Sequence, residues 1–313
     1  MAIHAKSTDL QSRVRGGRVG HSKGSAGREA QWCYPSRPNF KRSLASMSKR
    51  KQTEPPNEIQ VTSSWGSLLE NQTAALPRSK LQIGSHEVWL TDGVFSPAEC
   101  ATLVSRAEAH GFGTTNYDPS YRGNLRLTTT DTSLAAAVWK RLQPVAPPTL
   151  TLRKPASEVE RGELWWAQYP NAEGVWEACG LNECWRLTKY RAGDRFLCHC
   201  DEAFVRSSTN EMDEMSMLTV NIYMNGDFAG GRTRFFLKDD WWEQLTVLDG
   251  GTRYHLKEGK EADATVVPAA GRCLLFRQPP GQSYYHDGEE VASKCKYLFR
   301  SDVMYRKVAS LPA

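Results

Sequence analysis

The stretch LCHCDEA, residues 197–203, sets a histidine and an aspartate two apart, with a cysteine on either side of the histidine. Side chains along a strand alternate between its two faces. If this stretch is the end of a strand, His199 and Asp201 point one way, and Cys198 and Cys200 point the other. His199 and Asp201 are then the candidate ligands, about 6.6 Å apart along the chain, and the cysteines read as packing. A turn at the strand end lets both ligands reach one ion.

The surrounding sequence supports a strand. From Trp185 onward, short β-branched and aromatic runs recur: WRLTKYR, MLTVNIYM, RTRFFL, ATVV, CLLF and KYLFRSDVMY. Breaks rich in Gly and Pro separate them, such as NGDFAGG, PAAG and PPGQ. Many short strands with turn signals indicate an antiparallel sandwich or barrel. Upstream, SPAEC is a helix start, with Ser96 as cap, Pro97 in the first turn and Glu99 three residues after the cap. Cys100, Leu103, Val104 and Ala107 form its apolar stripe, and Gly111 ends it. A second helix is expected over 133–142, stopping before Pro144. The chain is therefore mainly β (α+β), with helices first, a β body after them and no internal repeat.

A metal site built on His199 and Asp201 needs a third ligand from another strand. His255 lies in a polar stretch with no strand pattern. His286 follows RCLLFRQPPGQSYY and precedes the last strand run, so it is the preferred partner. Two neutral imidazoles and one carboxylate leave three positions open on an octahedral ion, which suits non-haem Fe(II). Zinc can occupy the same donors, although structural zinc usually closes its shell with four protein ligands. An oxoacid cosubstrate would also need a buried cation. Lys296 lies ten residues after His286. Arg300 has the same strand parity, about 13 Å further on. One of the two suffices.

These residues also carry a resemblance. From about Leu81 to Tyr305 the chain resembles Fe(II)/2-oxoglutarate-dependent oxygenases of the prolyl 4-hydroxylase type. YRAGDRFLCHCDEAF is similar to the Tyr-x-x-Gly, five residues, His-x-Asp pattern of the family. TVNIYMNGDFAGGRTRFF is similar to its strand followed by Gly-Gly-x-Thr. VVPAAGRCLLF resembles the strand before the distal histidine, HDGEEVASKCKY the distal histidine with a basic residue ten later, and LFRSDVMY a common last strand. Many relatives have Gly two before the lysine, where this chain has Lys294.

The resemblance implies a double-stranded β-helix (jelly-roll) core over about 185–305, with supporting N-terminal helices, in an oxygenase domain spanning 81–308. It implies His199, Asp201 and His286 as iron ligands, and 2-oxoglutarate held by Lys296, Tyr190 and Thr233, with Arg300 as the alternative cation. Ascorbate would keep the iron ferrous. YRGNLRLTTTD resembles an element near the site mouth, which makes Arg122, Asn124 and Arg126 candidate substrate contacts. The implied activity is a dioxygenase that consumes O2 and hydroxylates a peptidyl proline or similar residue, releasing succinate and CO2. The alternatives are an oxygenase of a free amino acid or other small molecule, or a non-catalytic jelly-roll binding module. The segment 238–263, with Trp241 and Trp242, is longer than a hairpin link needs and could form a lid.

Charge and composition bound the rest. The chain has 313 residues and a net charge of +5. Residues 1–52 hold twelve Lys and Arg against two acids, while the remainder holds 28 basic and 33 acidic residues. Residues 1–80 read as a basic, disordered tail. Its Arg- and Ser-rich, acid-poor composition also fits a mitochondrial presequence, and KRSLASMSKRK a nucleic-acid contact. No apolar run is long enough for a membrane helix, and no secretory signal is evident. The eight scattered cysteines lack a CxxC pair and read as reduced thiols. An intracellular location follows from these expectations, whether cytoplasm, nucleus or mitochondrion.

Overall fold

Strand parity explains the architecture. In the computed structural model, the 15-residue last strand, Cys295–Ala309, runs through the middle of the main sheet. It pairs antiparallel with Glu214–Tyr223 on one side and with Cys184–Arg191 and Gly174–Leu181 on the other. Its residues Phe299, Val303 and Tyr305 enter one hydrophobic core, together with Val220 and Ile222 of one neighbour and Trp185 and Leu187 of the other. Residues of the opposite parity face the sandwich interior. There Leu298 joins Tyr223, Phe235, Leu274 and Phe276 in a second core, while Lys296 and Arg300 are charged. Among the described residues, twelve strands form the main sheet and four form a smaller one. The smaller sheet runs Ala264–Val266, Thr233–Phe235, His286–Gly288, Phe196–His199. Two sheets with a shared interior and antiparallel crossovers make the jelly-roll, as expected. The structure describes residues 58–62, 64–70, 76–153, 172–206, 214–237, 242–246, 252–256, 259–279 and 282–311.

Both expected helices form. α1 spans Pro97–His110, with the reciprocal capping box between Ser96 and Glu99 complete and Gly111 at its C-terminus at φ 83°. α2 spans Thr132–Leu142 and is capped by the Asp131 side chain, which accepts from the Leu134 N–H. Their apolar faces, Leu103 and Ala107 of α1 with Leu134 and Val138 of α2, close the first core. Arg141 of α2 ties the layer together. Its guanidinium forks onto the Glu99 carboxylate at 2.7 and 3.0 Å and donates to the carbonyls of Val94 and Glu70. Both side chains are buried. Breaking a buried pair strands its partner charge. Arg141→Met should therefore cost about 3–5 kcal/mol, read as a lowered midpoint in denaturant unfolding.

Structure begins ahead of residue 81. The strand Ile59–Val61 pairs parallel with Leu125–Thr130, and Trp65 is fully buried against Phe299. The remainder of the expected basic tail, residues 1–57, lies outside the described residues, and so does Trp241. Within the expected lid, Trp242–Thr246 and Thr252–Leu256 form a hairpin, so His255 lies on a strand after all. Among the described residues no helix is long and apolar enough to cross a membrane, and the described cysteines are free thiols.

Candidate functional site

The strand Phe196–His199 ends at the histidine, and Asp201 follows two residues on, just outside the strand. Its neighbour His286–Gly288 pairs in register so that His286 lies directly opposite His199. Ligand atoms of His199, Asp201 and His286 all lie within 4.8 Å of one another. The Nε2 atoms of the two rings face the two oxygens of one carboxylate, at 3.7 Å for His199 and 3.6 Å for His286. Cys198 and Cys200 are outside this group, and the Cys200 thiol donates instead to the Ser283 carbonyl.

Hydrogen bonding fixes the tautomer of both rings. Nδ1 of His199 lies 2.8 Å from the Leu197 carbonyl oxygen, and Nδ1 of His286 lies 2.9 Å from that of Tyr284. A carbonyl only accepts, so each Nδ1 carries the hydrogen. Burial lowers both histidine pKa values, and the neighbouring His286 lowers that of His199 further. Neutral rings with protonated Nδ1 present bare Nε2 lone pairs toward Asp201, the form that binds a metal. Burial alone would push the Asp201 carboxyl up. The Arg300 guanidinium at 3.0 Å and the Thr219 hydroxyl at 2.6 Å help reverse this and hold it well below the usual carboxylate range. The donor set is thus two neutral nitrogens and one anionic oxygen, which fits a divalent ion such as Fe(II).

A second buried charge lies further along the last strand. Lys296 is 2% exposed, and its Nζ donates to the Gly231 carbonyl at 2.7 Å. It also sits over the rings of Tyr190 and Tyr223. No carboxylate among the described residues lies within ion-pair distance of it, and burial pushes its pKa down to about 8. The Gly-Gly-x-Thr element builds this corner. Gly230 and Gly231 have φ of 71° and 66°, a Cβ on Gly230 would strike the Glu290 carbonyl at 2.2 Å, and one on Gly231 would press on the Lys296 side chain. Thr233 accepts from the Tyr223 hydroxyl at 2.7 Å, so its own O–H remains available to an acceptor. Tyr190 is opposite Lys296 in register and is buried. Lys296, Tyr190 and Thr233 therefore come together in one corner, with Tyr223 between them. Lys294 takes φ 61°, a left-handed conformation that favours glycine.

Arg300 is placed differently from Lys296. Its guanidinium bridges Asp201 and Asp302, at 3.0 and 3.5 Å. Arg186 is opposite it in register and approaches the other oxygen of Asp302. Near the mouth, the Arg122 guanidinium stacks 4.3 Å from the Phe196 ring centre, and Phe196 stacks on the His199 imidazole at 3.5 Å. Asn124 is committed to holding Arg122, accepting from its Nε at 2.8 Å and donating to the Leu125 carbonyl. Arg126 pairs with Glu58 at 3.4 Å. Thr219, Asp302, Arg186 and Phe196 were not singled out from the sequence. The alternation in TVNIY, with Thr219, Asn221 and Tyr223 on one face, was the available signal for the first.

The family model that matches part of the chain agrees with this chemistry. Residues 185–301 match the family model described as the 2OG-Fe(II) oxygenase superfamily. No curated protein sequence matches the chain. In fold the chain is similar to the viral collagen prolyl hydroxylase vCPH from Paramecium Bursaria Chlorella virus-1, at 13% identity and TM-score 0.39, covering 71% of this chain and 97% of that one. It is also similar to a Pseudomonas putida prolyl-4-hydroxylase, at 15% identity and TM-score 0.38, covering 72% and 95%. A third similar structure is a Trichoplax adhaerens prolyl hydroxylase in complex with a hypoxia inducible factor peptide fragment, at 12% identity and TM-score 0.40, covering 71% and 86%. The segment similar to that family model, residues 185–301, contains all three triad residues, Lys296 and Arg300.

Proposed function

We propose that this domain is a dioxygenase that couples oxidative decarboxylation of 2-oxoglutarate, to succinate and CO2, with hydroxylation of a C–H bond in a peptidyl proline or similar residue. One observation carries the reading. Two neutral imidazoles and a carboxylate converge in the same interior as a buried lysine that has no carboxylate within ion-pair distance among the described residues. His199, Asp201 and His286 would hold Fe(II). Bound ferrous iron supplies the one-electron chemistry that activates O2, and ascorbate serves to keep it ferrous.

The protein's own share is orientation and charge. Lys296 would take the distal carboxylate of 2-oxoglutarate, because no carboxylate among the described residues lies within ion-pair distance of it, whereas Arg300 already faces two. Tyr190 and Thr233 would hydrogen-bond the cosubstrate. Arg300 and Thr219 fix both Asp201 oxygens, so the carboxylate is aimed before any ion arrives. Arg300→Ala should therefore weaken metal binding about 10- to 100-fold while leaving the 2-oxoglutarate requirement near that of the wild type. Titration of the purified variant with Fe(II) and then with cosubstrate separates the two effects. A raised cosubstrate requirement at unchanged metal affinity would move the carboxylate seat to Arg300.

The deciding experiment incubates purified protein with Fe(II), ascorbate and 2-oxoglutarate and follows succinate across proline-containing peptides and free amino acids. Peptide-dependent release supports the proline reading. Release with amino acids alone moves the target to a small molecule. Bound iron without succinate under any condition leaves a binding module.

A further inference from the structure

The geometry points to a substrate that carries an anionic group, a carboxylate or a phosphate, which docks on the guanidinium groups of Arg122 and Arg126 at the mouth of the site. The inference rests on the oxygenase reading and adds the chemical class of its substrate.

Charge balance is the first argument. Among the described residues, Arg122, Arg126, Arg186, Arg300 and Lys296 stand against three carboxylates, Glu58, Asp201 and Asp302, while Asp287 and Glu289, which also act on Lys296, are each paired with an arginine of their own, Arg234 and Arg232. A divalent ion and the doubly charged oxoacid cancel each other, so the loaded site keeps two positive charges in excess. Like charges crowded in a partly buried site raise its free energy until an anion enters. A mid-chain proline supplies no such anion itself, so another group of the same substrate must carry it.

Placement is the second argument. Arg186 and Arg300 both approach Asp302, and Arg300 also meets Asp201, so the excess falls on the other two arginines. Arg122 has no carboxylate within ion-pair distance among the described residues. Asn124 holds its Nε and Phe196 holds its face, which leaves the outer edge of the fork free. The Phe196 ring lies between the Arg122 guanidinium and the His199 imidazole. Arg126 is 12% exposed, and its buried Nε has no hydrogen-bond partner. Burial, with Arg122 as neighbour, pushes its pKa down to about 10. Glu58 meets it at 3.4 Å, a long contact that occupies one corner of the fork. Forked guanidinium groups suit carboxylate and phosphate oxygens. Tyr190 feels the charges of Arg122, Arg126, Arg300 and Asp201 together, so mouth and metal centre share one electrostatic field.

The test uses full-length protein loaded with Mn(II) and one equivalent of 2-oxoglutarate. Nuclear relaxation of three probes is measured: inorganic phosphate, acetate and neutral acetamide. The paramagnetic ion speeds relaxation of whatever binds near it. Expected is a clear enhancement for phosphate or acetate and none for acetamide, with the stronger anion identifying the group. The enhancement should fall at least five-fold in Arg122→Gln and in Arg126→Gln, and rise in Glu58→Gln, which removes the internal competitor. Anion relaxation equal in wild type and all three variants, or absent in wild type, overturns the proposal while retained Mn(II) leaves the oxygenase reading standing. Failure of the wild type to bind Mn(II) overturns both.

Discussion

Asp201→Ala should leave the protein without bound iron and without succinate release. The carboxylate has three roles at once. It is the anionic member of the triad, it neutralises Arg300, and it accepts from Thr219. Removing it takes one of three ligands and leaves a cationic guanidinium facing two imidazoles. Loss of a supporting partner alone typically costs 10- to 100-fold in metal affinity, so loss of the ligand itself should exceed about 100-fold. Stranding the interior guanidinium should also destabilise the fold, on the order of 3 kcal/mol, near the lower end for broken buried pairs because Asp302 remains beside it. Asp201→Asn keeps the volume and the Thr219 contact but not the charge, and should lose iron nearly as completely. Iron content of the purified variants, read beside their thermal midpoints, checks this. An alanine variant with full iron content would end the metal assignment.

The second large effect concerns Lys296→Met. Its ammonium is buried with no carboxylate within ion-pair distance among the described residues, and burial has pushed its pKa to about 8 from 10.5. Losing a charge-assisted contact to a buried carboxylate costs about 2–4 kcal/mol. The 2-oxoglutarate requirement should therefore rise on the order of 30- to 1000-fold, while iron binding stays intact. Stability should move the other way, because an apolar side chain of similar length removes an uncompensated buried charge. The sign with pH follows from proton counts. Below about pH 8 lysine is protonated both folded and unfolded, and the burial cost is fully present. Between about 8 and 10.5 the unfolded chain holds the proton and the folded one does not, so wild-type stability rises with pH. The advantage of the methionine variant is thus largest near neutrality and shrinks through that window. Cosubstrate affinity of the wild type should fall above about pH 8, since binding then requires proton uptake. Calorimetric titrations at pH 7 and 9 read both effects, and an affinity independent of pH would argue against Lys296 as the carboxylate seat.

Local patterns carried much of this into the sequence. The capping box at Ser96 and Glu99 depends on residues three apart, and it formed as read. His199 and Asp201 share a side because the period of two carries past the strand end. His286 was legible because it opens a strand run, although its pairing with His199 is a register between distant segments. What stayed hidden depends on such non-local register. Arg300 and Lys296 have the same parity on one strand, so nothing along the chain separates their roles. The difference is that Arg300 is opposite Asn221 and Arg186 near Asp302, while Lys296 is opposite Tyr190, beneath Gly231. The strand at Ile59 and the buried Trp65 were missed because a three-residue strand beside a basic segment has no period to detect.

The small sheet that carries the histidines has strands of only three or four residues, and its lateral hydrogen bonds are few. An ion gripped from both of its facing strands would act as a rivet, joining segments that are remote along the chain and sparing them the entropy of coming apart. The bare polypeptide should then breathe first at this seam, with the broad sheet and its helices still closed. Whatever strips the ion would also loosen the wall against which the reactants rest, so inactivation and exposure to proteases would begin at the same place.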